Sequence, residues 1–300
     1  MNKIGGRPLV FGEVLFDCFP DGRAVMGGAP FNVAWHLQGF GLAPRLISRI
    51  GTDAQGEGVL SIMQAWGMDT QGVQRDGRHP TGRVQISMQG KAHTFEILPD
   101  QAYDFIDANA AATAARQAQA SLIYYGSLVS RNPVSASALK ALLEQNLPAF
   151  VDINLRAPWW QADSMPTLFR RARWAKLNDE ELIELFGGDT ASSELAPLAE
   201  RVRRQYGLEL VIVTRGADGA LLVKDQEVLR GEPVGVDDLV DTVGAGDGFS
   251  AVCLLGLIQG WELGEILSRA LEFAAQICRQ QGATAQDPGL YSDFLRRWQA

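Results

Sequence analysis

Short apolar segments alternate with longer amphipathic segments along most of the chain. Runs of apolar residues predict strands over Pro8–Phe16, Arg45–Ile50, Leu122–Tyr125, Ala149–Ile153, Trp174–Leu177, Leu210–Thr214, Ala220–Val223 and Val228–Leu229. Helical spacing predicts helices within Gly27–Gly39 and over Gly56–Trp66, Ala108–Gln119, Pro133–Gln145, Asp179–Phe186, Ser192–Tyr206, Gly246–Gln259, Leu263–Gln280 and Ser292–Trp298. Repeated strand–helix units predict an α/β fold, with a doubly wound, mostly parallel sheet and helices on both of its faces.

One segment departs from this rhythm. Residues Thr81–Leu98 alternate apolar and polar side chains around Gln89–Gly90, which predicts a hairpin with one solvated face. Together with Asp17–Met26, this hairpin is expected to form a small sheet outside the core. The chain shows no linker or internal repeat, so residues 1–300 are interpreted as a single domain. Segments at about 17–26 and 81–99 would form a small β-sheet lid on that domain.

Composition excludes several classes of protein. The net charge of the 300 residues is −8, and binding nucleic acid without sequence preference needs clustered Lys and Arg. The apolar stretch Phe249–Ile258 is about half the roughly 20 residues that a membrane span needs, and the first residues lack a signal-peptide pattern. Three cysteines without metal-ligand spacing predict neither a disulfide framework nor a zinc site. We therefore expect a cytoplasmic protein without nucleic-acid or membrane partners.

The most informative segment is glycine-rich and leads directly into an apolar helix. It reads DTVGAGDG over Asp241–Gly248. Gly244, Ala245 and Gly246 can turn so that successive N–H groups converge at the start of the helix, where an anion such as phosphate binds. Asp247 would lie beside that anion, which suits phosphoryl transfer because the reaction needs a base for the hydroxyl proton. Spacing alone leaves open a plain glycine turn with an ordinary first-turn carboxylate.

Other phosphate-binding and catalytic motifs are missing from the sequence. It contains no G-x-x-x-x-G-K-[ST] loop, no G-x-G-x-x-G after the first predicted strand and no G-x-S-x-G. These absences disfavour a P-loop enzyme, a dinucleotide-dependent oxidoreductase and a serine hydrolase.

Two segments resemble the signatures of a known family. The segment DTVGAGDGFSA at 241–251 resembles the C-terminal signature D-T-x-G-A-G-D of the ribokinase-like, or PfkB, carbohydrate kinases. The segment GGAPFNVA at 27–34 resembles their N-terminal signature in the form typical of fructokinase-like members. Shorter matches follow the family's order, namely GEVLFDCFP at 12–20, DINLR at 152–156, NDEE at 178–181 and TRGADG at 214–219. The resemblance covers nearly the whole chain and implies a ribokinase-like fold.

The resemblance also implies roles for individual residues. Asp247 matches the catalytic base, and Gly244, Ala245 and Gly246 match the anion hole. Positions that match substrate-binding residues are Asp17, Gly27, Gly28, Asn32 and Arg156. Positions that match ATP-binding residues are Asn178, Thr214, Gly216 and Gly219. Glu181 matches a residue that organises Mg²⁺ through water, and Asp241 lies where relatives bind a monovalent cation such as K⁺.

Several of these residues also have structural interpretations. Gly27–Gly28 can be a tight turn, Asn32 a helix cap and Glu181 part of a charged first helical turn. The two family signatures together favour the functional interpretation.

The implied function is transfer of the γ-phosphoryl group of Mg-ATP to a primary hydroxyl of a small sugar. Fructose is the first candidate, because of the G-G-A-P and D-x-N-x-R variants. Alternative acceptors are 2-keto-3-deoxygluconate, a nucleoside or a phosphosugar, and a second class of function is a non-catalytic sugar- or nucleotide-binding regulator. Two segments depart from the family pattern, at 99–106 and 279–288. The exposed edges of a lid favour a homodimer formed through it.

Overall fold

The computed structural model describes residues 3–89, 92–187 and 195–299. The predicted turn at Gly90, the lid residue Lys91 and the start of the helix predicted from Ser192 lie outside these residues. Strands in the described part are β1 (Arg7–Phe11), β2 (Leu15–Cys18), β3 (Ala24–Gly27), β4 (Arg45–Gly51), β5 (Val73–Asp76), β6 (Gly82–Gln89), β7 (Ala92–Ile97), β8 (Ala120–Gly126), β9 (Ala149–Asp152), β10 (Trp174–Asn178), β11 (Leu210–Thr214), β12 (Ala220–Lys224) and β13 (Glu227–Gly231). Helices are α1 (Ala29–Gly39), α2 (Ala54–Ala65), α3 (Ala108–Ala118), α4 (Pro133–Leu143), α5 (Met165–Phe169), α6 (Asp179–Phe186), α7 (Leu195–Tyr206), α8 (Ala245–Gln259), α9 (Leu263–Ile277) and α10 (Pro288–Gln299).

A large sheet forms the centre of the fold. The described residues give it nine strands in the order β13-β12-β11-β10-β9-β8-β1-β4-β5. The seven neighbouring strands β11-β10-β9-β8-β1-β4-β5 pair in parallel. Strands β12 and β13 add an antiparallel edge. The chain fills β4 and β5 on one side of β1 and then β8 to β13 on the other. The strand order therefore reverses at β1, and ligands of such sheets bind outside the carboxyl ends of the strands at that point.

Two apolar clusters cover the two faces of the large sheet. Alternate residues of β1 and β8 belong to different clusters: Val10 and Tyr124 join α1, α8, α9 and α10, whereas Phe11 and Tyr125 join α3, α4 and α7. A parallel strand buried on both faces reads as a continuous apolar run. This confirms the predicted doubly wound fold with helices on both faces.

The small sheet predicted from the alternating segment is also confirmed. It has four strands in the order β3-β2-β6-β7, and its residues Leu15, Val84 and Ile97 pack with Leu128 of the rest of the molecule. That the whole chain is one domain stays a prediction.

The predicted first strand, Pro8–Phe16, was wrong because the chain changes sheet within it. Strand β1 ends at Phe11, and β2 begins at Leu15 in the small sheet. A Cβ atom on Gly12 would stand 2.3 Å from Pro30 Cγ, so the chain leaves β1 where only glycine fits against α1. The edge strand β5, with sequence VQRD, and the short helix α5 were not predicted, because neither has a long periodic pattern.

Among the described ranges, no helix combines the length and the apolar character that a membrane crossing requires.

Candidate active site

The glycine-rich turn opens the buried helix α8. Gly244 is the residue before the helix, with φ +80°, and a Cβ there would come within 2.4 Å of Ala283 Cα. Only glycine accepts both the backbone angle and this close approach. The N–H of Ala245 donates to Thr242 O at 3.3 Å, whereas Gly246 and Asp247 occupy the first turn, where N–H groups have no partner within the helix. This helix start faces the cavity described below and can bind an anion.

Asp247 is partly buried beside this turn. Its Oδ2 accepts a hydrogen bond of 2.7 Å from Asn32 Nδ2, on a helix 215 residues earlier in the chain. Burial raises the pKa of Asp247 to about 6; the Asn32 hydrogen bond and Lys176 act against this rise, and Asp152 adds to it. The carboxylate is therefore ionised at neutral pH but is a stronger base than a solvated Asp.

Asn32 is placed by the unusual start of α1. The residue before this helix is Gly28, with φ +108°, where a Cβ would stand 2.7 Å from Glu13 O. Because Gly28 takes the capping position, the Asn32 amide is free to reach Asp247 instead of capping the helix. The interpretation of Asn32 as a helix cap is therefore wrong.

Asp17 and Arg156 both line the cavity. Asp17 is on β2, and its Oδ2 is 3.7 Å from the place where a Cβ on Gly27 would stand. Burial raises the pKa of Asp17, and the nearby Arg156 guanidinium lowers it. Arg156 is exposed, and its charge also acts on Asp247.

A buried ion pair lies under the glycine-rich turn. Lys176 Nζ is 2.7 Å from Asp152 Oδ1, and Asp152 Oδ2 accepts hydrogen bonds from Tyr124 Oη at 3.0 Å and Ser250 Oγ at 2.6 Å. Burial lowers the pKa of Lys176, but the carboxylates of Asp152, Glu181 and Asp247 together raise it by more, so the amine is ionised. A Cβ on Gly246 would stand 3.8 Å from Lys176 Nζ, which places a positive charge beside the anion-binding turn.

Asn178 and Glu181 form a reciprocal cap at the start of α6. Asn178 Oδ1 accepts from the Glu181 N–H at 2.7 Å, and Glu181 Oε2 accepts from the Asn178 N–H at 2.8 Å. Glu181 Oε1 also accepts from Leu155 N–H at 2.9 Å. Burial raises the pKa of Glu181, and these two N–H groups lower it. The cap accounts for the position of Glu181 in the helix, and Glu181 also lines the cavity.

One cavity of about 800 Å³ connects most of the predicted residues. Those that line it are Asp17, Gly27, Gly28, Asn32, Arg156, Asn178, Glu181, Thr214, Asp241, Gly244, Gly246 and Asp247. Ala245, Gly216 and Gly219 are not among the lining residues. Gly219 instead packs against β13, since a Cβ there would stand 2.0 Å from Gly231 O. The roles assigned to these three positions stay predictions.

Asp241 joins two loops at the rim of the cavity. Its Oδ1 accepts from Val243 N–H at 3.0 Å, and its Oδ2 accepts from Gly282 N–H at 3.2 Å. The departing segment 279–288 thus contacts the glycine-rich turn through Gly282 and Ala283. The cation role of Asp241 stays a prediction.

Sequence reasoning assigned no role to two charged residues that line the cavity, Glu13 and Lys176. Both are less than a tenth exposed and lie within apolar runs, LVFGEVLF and WAKLN. Burying a charged residue within a strand costs free energy unless the charge is paired or binds a ligand. A charged residue in an apolar run was therefore the sequence signal that could have identified both positions.

Comparisons with known proteins agree with this arrangement. The chain is 28% identical to a putative sugar kinase of Pyrococcus horikoshii, over 94% of this chain and 93% of that protein. It is also 28% identical to a fructokinase of Klebsiella pneumoniae, over 98% and 99% of the two chains. A crystal structure of the P. horikoshii sugar kinase in complex with ATP superposes with a TM-score of 0.77 at 25% identity, covering 92% of this chain and 93% of that one.

The family model described as pfkB family carbohydrate kinase matches residues 19–289. That range includes both glycine-rich signatures and the Asn32–Asp247 hydrogen bond between them. The chain therefore belongs to the pfkB family of carbohydrate kinases, and it is a phosphotransferase with the ribokinase fold.

Proposed function

We propose that this kinase transfers the γ-phosphoryl group of ATP to a primary hydroxyl of a small sugar, with fructose as the first candidate. One observation carries the proposal: a partly buried carboxylate, Asp247, lies in the first turn of an anion-binding helix start, accepts a hydrogen bond from Asn32 and lines the same cavity as Asp17. A base beside an anion site is repulsive in a simple binding protein but is required when a hydroxyl must lose its proton to a phosphoryl group.

In the proposed reaction, Asp247 accepts the proton of the attacking hydroxyl. Asn32 Nδ2 holds one carboxylate oxygen, so the other is directed at the acceptor. The N–H groups at the start of α8 and the Lys176 ammonium then stabilise the charge that develops on the phosphoryl oxygens. These groups are fixed before the reaction and need no reorganisation in the transition state. Closure of the small sheet over the acceptor would exclude water and so prevent hydrolysis of ATP.

The side chains present fit a Mg²⁺ ion that arrives with ATP. The described residues hold no cluster of three or more His, Cys, Asp or Glu that could ligate a metal alone. Mg²⁺ commonly uses one or two carboxylates, several waters and the substrate phosphates. Glu181, which lines the cavity and has lone pairs to spare, would hold such an ion through water, and the ion would offset phosphate charge. We assign ATP to the side of Asn178 and Thr214, and we propose that Asp241 supports a K⁺ site.

The acceptor is tested by measuring ADP release from Mg-ATP with fructose, other sugars, nucleosides, 2-keto-3-deoxygluconate and phosphosugars. We expect the highest kcat/KM with fructose, because two shared signatures are of the fructokinase-like form. A higher kcat/KM with another acceptor would contradict fructose but not the kinase reaction. Binding of ATP without turnover of any acceptor would contradict the reaction and favour the regulator.

We further propose that the enzyme is a homodimer formed through the small sheet. Phe95 on the edge strand β7 is 66% exposed, and Val25 on the opposite edge β3 is 42% exposed. Exposed strand edges carrying apolar side chains offer unpaired backbone groups and apolar surface to which a second chain can bind. The free cysteines Cys18, Cys253 and Cys278 support a reducing compartment such as the cytoplasm.

Light scattering at micromolar concentration should give a mass of about twice 32.6 kDa for the wild type. We expect Phe95→Glu to reduce this to a single chain, because a charge would replace an apolar contact. Val134→Glu is the matched control, since Val134 is 44% exposed on α4, outside the small sheet. A monomeric wild type contradicts the dimer, as does a Phe95→Glu protein that keeps the double mass.

A further inference from the structure

Glu13 is a buried carboxylate that neither the family signatures nor the proposed reaction uses. It lies between β1 and β2, at the carboxyl end of the strand where the order of the large sheet reverses. Only 4% of the residue is exposed, and it lines the same cavity as Asp247. Its position is therefore in the crevice where open α/β sheets bind their ligands.

One oxygen of this carboxylate is unpaired. Within the described part of the chain, Glu13 Oε2 is buried and has no hydrogen-bond partner. Asn32 Oδ1, from the residue that holds Asp247, is unpaired in the same way. The amide oxygen of Asn32 can only accept hydrogen bonds, and Glu13 Oε2 can only accept them when its carboxylate is ionised. Buried acceptors without partners are rare in folded proteins, and a bound hydroxyl would satisfy them.

Glu13 also packs directly against Gly28, one of the two predicted substrate-binding glycines. A Cβ on Gly28 would stand 3.4 Å from Glu13 Cγ and 2.7 Å from Glu13 O. Glu13 therefore packs against Gly28, whereas Asp17 lies beside the neighbouring Gly27, with its Oδ2 3.7 Å from where a Cβ on Gly27 would stand. This close packing fixes the Glu13 side chain and leaves it little freedom to turn towards solvent.

The charges around Glu13 favour an uncharged ligand. Six carboxylates and three cations line the cavity: Glu13, Asp17, Asp152, Glu181, Asp241 and Asp247 against Arg23, Arg156 and Lys176. The cations that act on Glu13 are Arg156, which is exposed, and Arg131, whose guanidinium is already paired with Asp104 at 2.7 Å. A carboxylate or phosphate on the acceptor would therefore meet more negative than positive charge here. Repulsion of this kind is a common basis for rejecting the wrong ligand.

We propose that Glu13 binds a hydroxyl group of the acceptor through Oε2 and rejects anionic acceptors, so that the substrate is a neutral polyhydroxylated molecule. The proposal rests on the assignment of this cavity to the acceptor of the kinase. Burial raises the pKa of Glu13 to about 7, and Asp247 adds to the rise, so Glu13 is mostly ionised at pH 8. The ionised form accepts hydrogen bonds from hydroxyls and repels anions.

The test compares Glu13→Gln with the wild type at pH 8, using fructose as the neutral probe and 2-keto-3-deoxygluconate as the anionic one. Binding is measured by calorimetry without ATP, and kcat and KM are measured with Mg-ATP. We expect the affinity for fructose to fall about 10-fold or more, because a charge-assisted hydrogen bond is lost. Affinity for the anionic probe should rise, so the preference between the two probes changes by more than the fructose affinity alone. The KM for ATP should stay within about two-fold.

Two controls separate this role from a structural one. Glu144→Gln removes an exposed carboxylate at the end of α4 and should change neither preference nor affinity. The melting temperature of ligand-free Glu13→Gln at pH 8 should equal or exceed that of the wild type, because an unpaired buried charge is removed. A structural Glu13 would instead give a lower melting temperature with an unchanged preference.

Several outcomes overturn the proposal. It fails if Glu13→Gln keeps the wild-type preference between the two probes, or if the wild type binds the anionic probe more tightly. It also fails if the wild type does not bind fructose and Glu13→Gln binds it equally poorly. Because binding is measured without ATP, these outcomes are distinct from failure of the kinase assignment, which appears as absence of ADP release with every acceptor.

Discussion

Asp247→Asn is expected to lower kcat by about 10²–10⁴-fold, the usual cost of removing a general base. The amide is the same size as the carboxylate and can still accept the hydrogen bond from Asn32 Nδ2, so the geometry at the start of α8 should survive. Binding of ATP, measured by calorimetry, should be unchanged or tighter, because a negative charge beside the phosphates is removed. The matched control is Glu57→Gln, which neutralises an exposed carboxylate in the first turn of α2 and should keep full activity.

The pH profile of the same assay identifies the base. Because the pKa of Asp247 is raised to about 6, kcat/KM of the wild type should fall as the pH drops through about 6. The residual rate of Asp247→Asn should lack this dependence. An Asp247→Asn enzyme that keeps more than about a tenth of the wild-type kcat would contradict the assignment.

Stability should change in the opposite direction to activity. The pKa of Asp247 is about 6 in the folded chain, above its ordinary value of 3.8. The stability linked to the neutral form is therefore fully present below pH 3.8 and is lost as the pH rises through 6. At pH 8 the ionised carboxylate costs the fold up to about 3 kcal/mol. Asp247→Asn should therefore unfold at an equal or higher temperature than the wild type at pH 8, as expected when a site trades stability for function.

The sequence was sufficient to place the residues that depend on local backbone geometry. Gly244 and Gly28 are required by positive φ angles and by close contacts at helix starts, and both appear in dense glycine motifs. Asp247 lies three residues after Gly244, and Asn32 lies four residues after Gly28, each near the start of the helix that follows its glycine. A motif of this kind carries its own structure, so its chemistry can be predicted without knowledge of the remainder of the fold.

Residues whose role depends on distant contacts could not be placed in this way. The apolar run through Gly12 and Glu13 predicts one strand, and nothing local indicates that the chain crosses to a second sheet there. Lys176 forms an ion pair with Asp152, on the neighbouring strand β9, and lies close to Gly246, from another part of the chain. Contacts between residues on neighbouring parallel strands depend on the strand order of the sheet, and a single sequence does not reveal that order. The charged residues Glu13 and Lys176 stand out within apolar runs of the sequence, but the sequence does not show which residues they contact.

Lys176→Met is expected to destabilise the protein by about 3–5 kcal/mol, because it leaves the Asp152 carboxylate buried without its cation. Both groups are almost fully buried, and Asp152 has hydrogen bonds from Tyr124 and Ser250 that hold its other oxygen in place. The carboxylate therefore cannot turn to solvent when Lys176 is removed. For a chain of this size, the melting temperature should fall by roughly 5–10 °C, which calorimetry would measure.

The double variant Asp152→Asn, Lys176→Met separates the stability of the pair from its effect on the reaction. Neutralising both partners removes the uncompensated charge, so most of the lost melting temperature should return. The kcat should remain reduced, because the ammonium that lies under Gly246 is still absent from the anion-binding turn. The single variant should also move the acid limb of kcat/KM to higher pH, because Lys176 lowers the pKa of Asp247. In the double variant that limb should move back, since Asp152 raises the same pKa. A double variant that recovers kcat together with the melting temperature would show that the ion pair is purely structural, and Lys176 would then have no part in binding the phosphoryl group.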